Sequence, residues 1–333
     1  MRALAASGVV AAVLALAAWI SVFTGSLDVA PERVWAALAG NGTAIENLVI
    51  VDRRLSRALA ALLVGFALGV SGALTQSITR NPIASPDILG VVSGAGLCAA
   101  LVATQPAVRG VFAGLDTRTL IQAAALVGGL VTTGAILALS WRAGFNGMRL
   151  ILVGLSVNAL ALAGTSFLLT RADVYDAAVA VRWLTGSLAP ARMDDVSSLL
   201  PIVVLAALSC AALAAPLASL RLGREFSSLL GTSPARTEAV SILLAVVLAA
   251  SAAAVAGPIG FVAFVAPQAA LRLFGTAGPP PVASGACGAA LVLAADLIAQ
   301  RVPVELPVGV VVAVIGAPCL LYLLIHTVRR DRA

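Results

Sequence analysis

Long uncharged runs separated by short polar connectors dominate this chain. An α-helix rises 1.5 Å per residue, so about 20 apolar residues cross a hydrocarbon core of ~30 Å. Ten windows meet or approach that length, near residues 4–24, 58–79, 88–106, 119–140, 149–170, 197–218, 237–257, 259–274, 282–300 and 307–326. The eighth is short and contains Pro267. Backbone groups in lipid must be satisfied within their own segment, which makes these windows helices. The polar–apolar alternation of a membrane β-strand is absent. The pattern therefore predicts an all-α integral membrane protein with about ten transmembrane helices. It reads as a single transmembrane domain over residues 1–333, with no internal repeat. The first window exceeds the ~7–15 apolar residues of a secretory signal core and is taken as a retained span.

The connectors carry their own signals. Between windows two and three runs Arg80-Asn81-Pro82-Ile83-Ala84-Ser85-Pro86-Asp87. Pro82 and Pro86 cannot continue a helix and disfavour it at the preceding residue. Span two should end near Thr79. Span three should restart near Asp87, with Ser85 as cap and Pro86 at the first helical position. In the connector 219–236, Phe226, Leu229 and Leu230 share one helical face at i, i+3, i+4. Gly231 can end that short helix, and Ser233-Pro234 can start the next. Its apolar face suits either lipid headgroups or a partner's groove. Val181 to Leu188 suits a short interfacial helix, since Trp183 prefers that depth. Gly65, Gly69 and Gly72 form a small-residue face for close helix packing.

Composition sharpens the class. The chain is 61% hydrophobic and 11% charged, against about a quarter charged in soluble domains. Its 21 basic residues are all arginine. A P-loop requires a lysine on the phosphates, so this chain carries no ordinary nucleotide-hydrolysis site. Schiff-base chemistry is excluded for the same reason. The single His326 rules out an HExxH zinc site. Cys98, Cys210, Cys287 and Cys319 each fall in an apolar run and form no CxxC pair, so they are read as packing residues. No metal site, catalytic set or nucleic-acid surface is expected. Ten crossings place both termini on one side. Arg329, Arg330 and Arg332, with the loop around Arg142 and Arg149, favour the cytoplasm for that side.

Several segments together resemble one family. They are GFALGVSGALTQ at 65–76 followed by RNPIASPDILGVVSGA, with RLSR at 54–57, ILVGLSVNAL at 151–160 and WLTGS at 183–187. LGREFSSLLG at 222–231, GPIGFVAFVAP at 257–267, AADLIAQ at 294–300 and ELPVGVVVAVIGAP at 305–318 extend the match along the chain. The set is similar to the permeases of iron–siderophore and cobalamin importers, the FecCD family of ABC transporters. The resemblance implies a type II importer permease architecture in the cell inner membrane. It also implies a second permease subunit, identical or homologous, and an external solute-binding protein. ATP and Mg would be bound by separate ATP-binding cassette subunits, leaving this chain without a cofactor. The implied cargo is a ferric siderophore, with haem or cobalamin as alternatives. An ion-coupled secondary carrier is the reading from another class; only Asp296 lies deep enough in a span to hold a coupling ion.

The resemblance also assigns roles. Arg80, Asn81, Pro82, Leu222, Gly223, Glu225, Phe226, Leu229, Leu230 and Gly231 would couple to the ATPase, with 219–236 as the cytoplasmic coupling loop. Ser227 and Ser228 stand where the family more often has Ala and Arg. Arg54 and Arg57 would dock acidic residues of the binding protein; snorkelling to lipid phosphates is the other reading of the same charges. The family often has an arginine four residues after the aspartate of span nine. Here Gln300 holds that position and Arg301 follows, giving a third docking candidate. Gln76, Gly147, Met148, Gly257, Pro258 and Pro267 are placed on the translocation path or its gate. For Gly257, Pro258 and Pro267, a packing kink is the competing reading. Asp296 is expected to find a structural partner, with Arg301 and Glu305 near it in sequence.

Overall fold

A computed structural model describes residues 2–25, 27–112, 114–140, 147–302 and 306–330. Phe145, Asn146 and Glu305 lie outside them, as do the side chains of Gly147, Met148, His326, Arg329 and Arg330. The chain opens with α1 (Arg2–Phe23), then the short α2 (Pro31–Leu38) and α3 (Ala44–Val49). A π-helical turn, Ile50–Leu55, runs into α4 (Ser56–Thr79). A 3₁₀ turn, Pro86–Leu89, precedes α5 (Val91–Thr104), and α6 (Pro106–Val111) leads to α7 (Thr117–Ser140). Next come α8 (Gly147–Arg171), α9 (Val174–Leu184), α10 (Met193–Ala212), α11 (Ala214–Arg221) and α12 (Arg224–Leu229). The chain closes with α13 (Pro234–Ala256), α14 (Val262–Phe274), α15 (Pro281–Arg301) and α16 (Val308–Arg330). No strand occurs among the described residues.

Seven of these segments are long and apolar enough to cross a membrane; three shorter apolar helices lie at Val91–Thr104, Val262–Phe274 and Val308–Cys319. Successive crossings alternate in direction, which leaves two loop faces. One carries α2, α3, α6 and α9. The other carries the 80–90 turn and α12.

α4 stands at the centre, packed on α15, α13 and α14. The glycine face makes this possible. A Cβ on Gly65 would lie 2.4 Å from the Gly288 carbonyl oxygen, and one on Gly69 would lie 2.2 Å from that of Ser284. One on Gly72 would lie 2.0 Å from the oxygen of Ala263. In lipid, such backbone approach replaces the hydrophobic drive that holds soluble helices together.

Where the structure departs from the sequence pattern, backbone chemistry explains it. Ser85 does not cap a helix at Asp87. The segment Pro86–Leu89 is 3₁₀, and Gly90 (φ 76°) breaks it before α5 starts at Val91. Window six is divided at Leu213, because Pro216 has no N–H for the carbonyl of Ala212. The expected interfacial helix over 181–188 runs instead from Val174 to Leu184. Beyond it, the chain turns into contact with α13 and α16. Ser233 makes no side-chain cap, although Pro234 does open α13. α14 begins only at Val262, after Phe261 adopts a left-handed backbone (φ 66°). That conformation costs a bulky residue about 1–2 kcal/mol, and Phe261 is held there by packing on Gly316.

Pro267 inside α14 removes the N–H that would meet the carbonyl of Ala263. Gln76 of α4 supplies the missing donor: its Nε2 lies 3.3 Å from the oxygens of both Ala263 and Phe264. The Oε1 of Gln76 in turn accepts from Gln268 Nε2 at 2.7 Å. Both glutamines are buried. Gln76 is therefore a clasp on a broken helix.

This arrangement predicts non-additivity. Gln76→Leu should cost about 1–2 kcal/mol in thermal unfolding of the detergent-solubilised chain, within the range of polar contacts between membrane helices. In a Pro267→Ala background the helix can make its own bond, and the same change should cost less than half as much. Equal costs in both backgrounds would separate Gln76 from the break.

Candidate functional site

The apolar face expected in the 219–236 connector is present and uncovered. Leu222, Phe226, Leu229 and Leu230 are 64%, 62%, 82% and 62% exposed. α12 has six residues, too few to hold a helix alone. Its ends are set by Gly223 (φ 116°) and Gly231 (φ 77°). Three hydroxyls fasten it underneath: Ser219 Oγ lies 3.1 Å from Ser227 Oγ and 3.0 Å from Thr232 Oγ1, and the last two lie 2.6 Å apart. Ser227 is buried in this cluster, whereas Ser228 points outward and donates to the carbonyl of Arg224. Arg224 pairs with Glu238 at 3.0 Å. Beside them, Arg224, Glu225, Ser228, Pro234 and Ala235 line a shallow hollow.

The 80–90 turn meets this loop directly. Arg80 takes a left-handed backbone (φ 51°), and its Nη2 donates to the Leu220 carbonyl at 2.8 Å. Asn81 closes the turn locally, its Oδ1 accepting from the amide of Ile83 at 3.0 Å. Pro82 and Ile83 are exposed beside it. Arg221, one residue past Leu220, reaches the Pro279 carbonyl at 3.4 Å and packs on Gly278. Burial lowers the pKa of its guanidinium, which stays cationic. Thus two motifs more than 130 positions apart in sequence form one surface, with a greasy helix at its tip.

The opposite face distributes its arginines differently from the sequence expectation. Arg54 is 8% exposed. It donates to the carbonyls of Val22 and Leu27, with Gly25 against its guanidinium. A cation so enclosed is not free to dock a partner, which corrects the reading of Arg54. Arg57 grips Asp296 through Nε at 3.0 Å to both oxygens and Nη2 at 2.8 Å. Asp296 is wholly buried and also accepts from Gln300 Nε2 at 2.7 Å. Its partners are therefore Arg57 and Gln300, not Arg301. Arg301 is exposed and touches Thr24 Oγ1 at 3.2 Å. Two further pairs, Arg109–Asp176 and Arg118–Asp195, fasten α6 to α9 and α7 to α10 on this face.

The residues placed on the path mostly prove to be internal. Gln76, Gly257 and Pro267 are buried between helices of the same chain, and Pro258 is half-buried. A Cβ on Gly257 would lie 2.3 Å from the Trp183 carbonyl oxygen. The Ser187 amide donates to Ala256 O at 2.7 Å and the Gly309 amide to Gly186 O at 3.0 Å. WLTGS, GPIG and the start of α16 thus lock into one junction, and within this chain Gly257 and Pro267 are packed against neighbouring helices. Gly147 opens α8, followed by Met148; their side chains lie outside the described residues.

Sequence reasoning passed over Asn158, Ser219 and Thr232. Asn158 had a legible signal, being a lone amide within an apolar span. The two hydroxyl residues had none, since their partner is the fold of the loop.

Comparison with known proteins agrees with the resemblance of motifs. The sequence profile of the FecCD transport family matches residues 13–326. The ferric enterobactin transport system permease protein FepG of Escherichia coli is 40% identical over 311 residues, covering 92% of this chain and 91% of that protein. The iron(3+)-hydroxamate import system permease protein FhuG of Bacillus subtilis is 34% identical over 316 residues, covering 92% of each. A solved chain from a metal-chelate type ABC transporter in an inward-facing conformation superposes with a TM-score of 0.81 at 26% identity, over 96% of this chain and 97% of that one. This multi-pass membrane protein belongs to the FecCD transport family of ABC importer permeases.

Proposed function

We propose that the chain is the path-forming subunit of an inner-membrane importer, driven by ATP hydrolysed on separate subunits and carrying a ferric siderophore. The observation that carries this reading is the joint surface of the 80–90 turn and α12. An uncovered apolar helix anchored through Arg80 to the end of α4 offers a partner a grip on the membrane core. The absence of lysine fits a chain that draws on a partner's nucleotide site. The α12 face is cytoplasmic in this reading, and both termini lie on that side. A second permease subunit completes the path, with Gly147 and Met148 at its gate.

The ferric cargo follows from relatives named for ferric enterobactin and iron(3+)-hydroxamate. Cobalamin is the second candidate, since a cobalamin import permease of Halobacterium salinarum is 36% identical over 86% of this chain. Uptake of ⁵⁵Fe-loaded enterobactin, hydroxamate and citrate, with labelled cobalamin beside them, separates these cargoes. An ion-coupled carrier is disfavoured by Asp296, whose oxygens are already engaged by Arg57 and Gln300.

On the outer face, Arg301 is an exposed cation open to acidic residues of a binding protein, with Arg53, Arg171 and Arg182 also exposed there. Arg54 and Arg57 support that surface from within.

Two outcomes test the assignment. Replacing Phe226 and Leu230 together by Asp should cut co-purification of the ATPase at least about tenfold, since each buries an apolar side chain worth ~1.5–3 kcal/mol. The thermal midpoint should stay unchanged. Undiminished ATPase capture would place α12 on lipid instead. Arg301→Glu should weaken binding-protein association severalfold at low salt and much less at ~1 M salt, where charges are screened beyond ~3 Å. Arg54→Glu should instead lower the yield of folded protein. Normal docking by Arg301→Glu at low salt would remove Arg301 from the contact.

A further inference from the structure

α8 is held to the rest of the chain along one side only. Leu152, Leu155, Leu160, Leu162 and Phe167 are all exposed on it. By contrast α5 and α7 are joined backbone to backbone, a Cβ on Gly94 lying 2.5 Å from the Gly128 oxygen. α8 rests on this pair and on the 3₁₀ turn Pro86–Leu89.

The contact with the turn is specific. Asn158 Nδ2 donates to the carbonyl of Asp87 at 3.3 Å. The Ser93 hydroxyl donates to Asn158 Oδ1 at 2.5 Å. One turn earlier on α8, Gly154 lies against the Ile88 carbonyl, where a Cβ would come within 2.4 Å. The polar ends of Asn158 are therefore spent on the turn and the start of α5, not within α8. The other end of the same turn is Arg80, bonded to Leu220 at the base of α12. Asn158 sits about 16 Å along α8 from its first residue, at 1.5 Å per residue.

We infer that Asn158 is a positioning residue for transport: it ties α8 to the 80–90 turn, so that displacement of the α12 surface moves α8. This rests on the importer reading above. A lone side-chain amide in an apolar span needs partners. Here one partner, Asp87, belongs to a connector that also touches the α12 loop, and the other, Ser93, lies in α5 directly after it. Without the tie, α8 keeps its apolar contacts with α5 and α7 but loses its polar link to the moving surface.

The experiment uses the whole transporter, permease with its ATPase and binding protein, in liposomes. ⁵⁵Fe-enterobactin uptake is read beside an ATP-dependent distance between spin labels at Leu152→Cys on α8 and Leu243→Cys on α13, with the native cysteines replaced by alanine. Asn158→Leu, close in size and without polar atoms, should retain the ATPase within twofold. It should lower uptake about tenfold, the upper range for one polar contact between membrane helices, and abolish the ATP-dependent distance change. Ser93→Ala, which removes only one of the two bonds, should reduce that change partially. A full distance change in Asn158→Leu overturns the proposal. If that variant fails to fold, a full change in Ser93→Ala overturns it and a reduced change supports it. Loss of ATP-dependent uptake in the unmodified transporter would instead overturn the importer reading.

Discussion

Every break in a helix that lies within hydrocarbon exposes carbonyls and amides that lipid cannot satisfy, at several kcal/mol each. This chain breaks its helices repeatedly, and several of the breaks are met by a named group. Gln76 meets the carbonyls freed by Pro267. Asn158 meets the carbonyl of Asp87 in the 80–90 turn. The amides of Ser187 and Gly309 bind the carbonyls of Ala256 and Gly186 where α9 ends and α16 begins. Gln76 and Asn158 thus serve backbone left over by irregular geometry, whereas buried hydroxyls such as Thr75, Thr104 and Thr165 bond the carbonyl four residues back in their own helix.

The same rule explains the short helices. α5 and α14 have 14 and 13 residues, spanning about 20 Å at 1.5 Å per residue. Each is preceded by non-helical chain that other helices partly cover. For α5 that chain is the 80–90 turn, and for α14 it is residues 257–261. Irregular backbone tolerates small displacements better than a continuous helix, because fewer bonds run along its axis. The turn beneath α5 therefore joins two needs. It leads into α5, and it links the exposed α12 loop to α8.

The helix count and the apolar α12 face were legible because they depend on period and length alone. The glycine face of α4 was legible as packing, and the structure adds its partners, α15 and α14. The arginines were not legible in the same way. Arg54 and Arg57 look alike in sequence, three positions apart before an apolar run. One lies against the carbonyls of Val22 and Leu27, and the other chelates Asp296 more than 200 residues away. Which cation is free depends on long-range pairing that no local pattern encodes. Pro258 and Pro267 carry two readings for a related reason: a broken helix can face either a cavity or a neighbour. Within this chain, Gly186 lies against the Pro258 carbonyl and Gln76 meets the carbonyls before Pro267.

The Asp296 cluster shows how the residue at position 300 sets the local charge. An arginine at position 300 would give the buried carboxylate two cations and leave the site with a net positive charge. Gln300 keeps the hydrogen bond at 2.7 Å and removes that charge. Asp296 and Arg57 then form a neutral pair, the cheaper arrangement for a wholly buried carboxylate. The next residue, Arg301, is rotated by about 100° around the helix. That step carries its guanidinium out of the cluster to the surface beside Thr24. The neutral pair then braces α4 against α15, while the Arg301 guanidinium stays exposed at the surface.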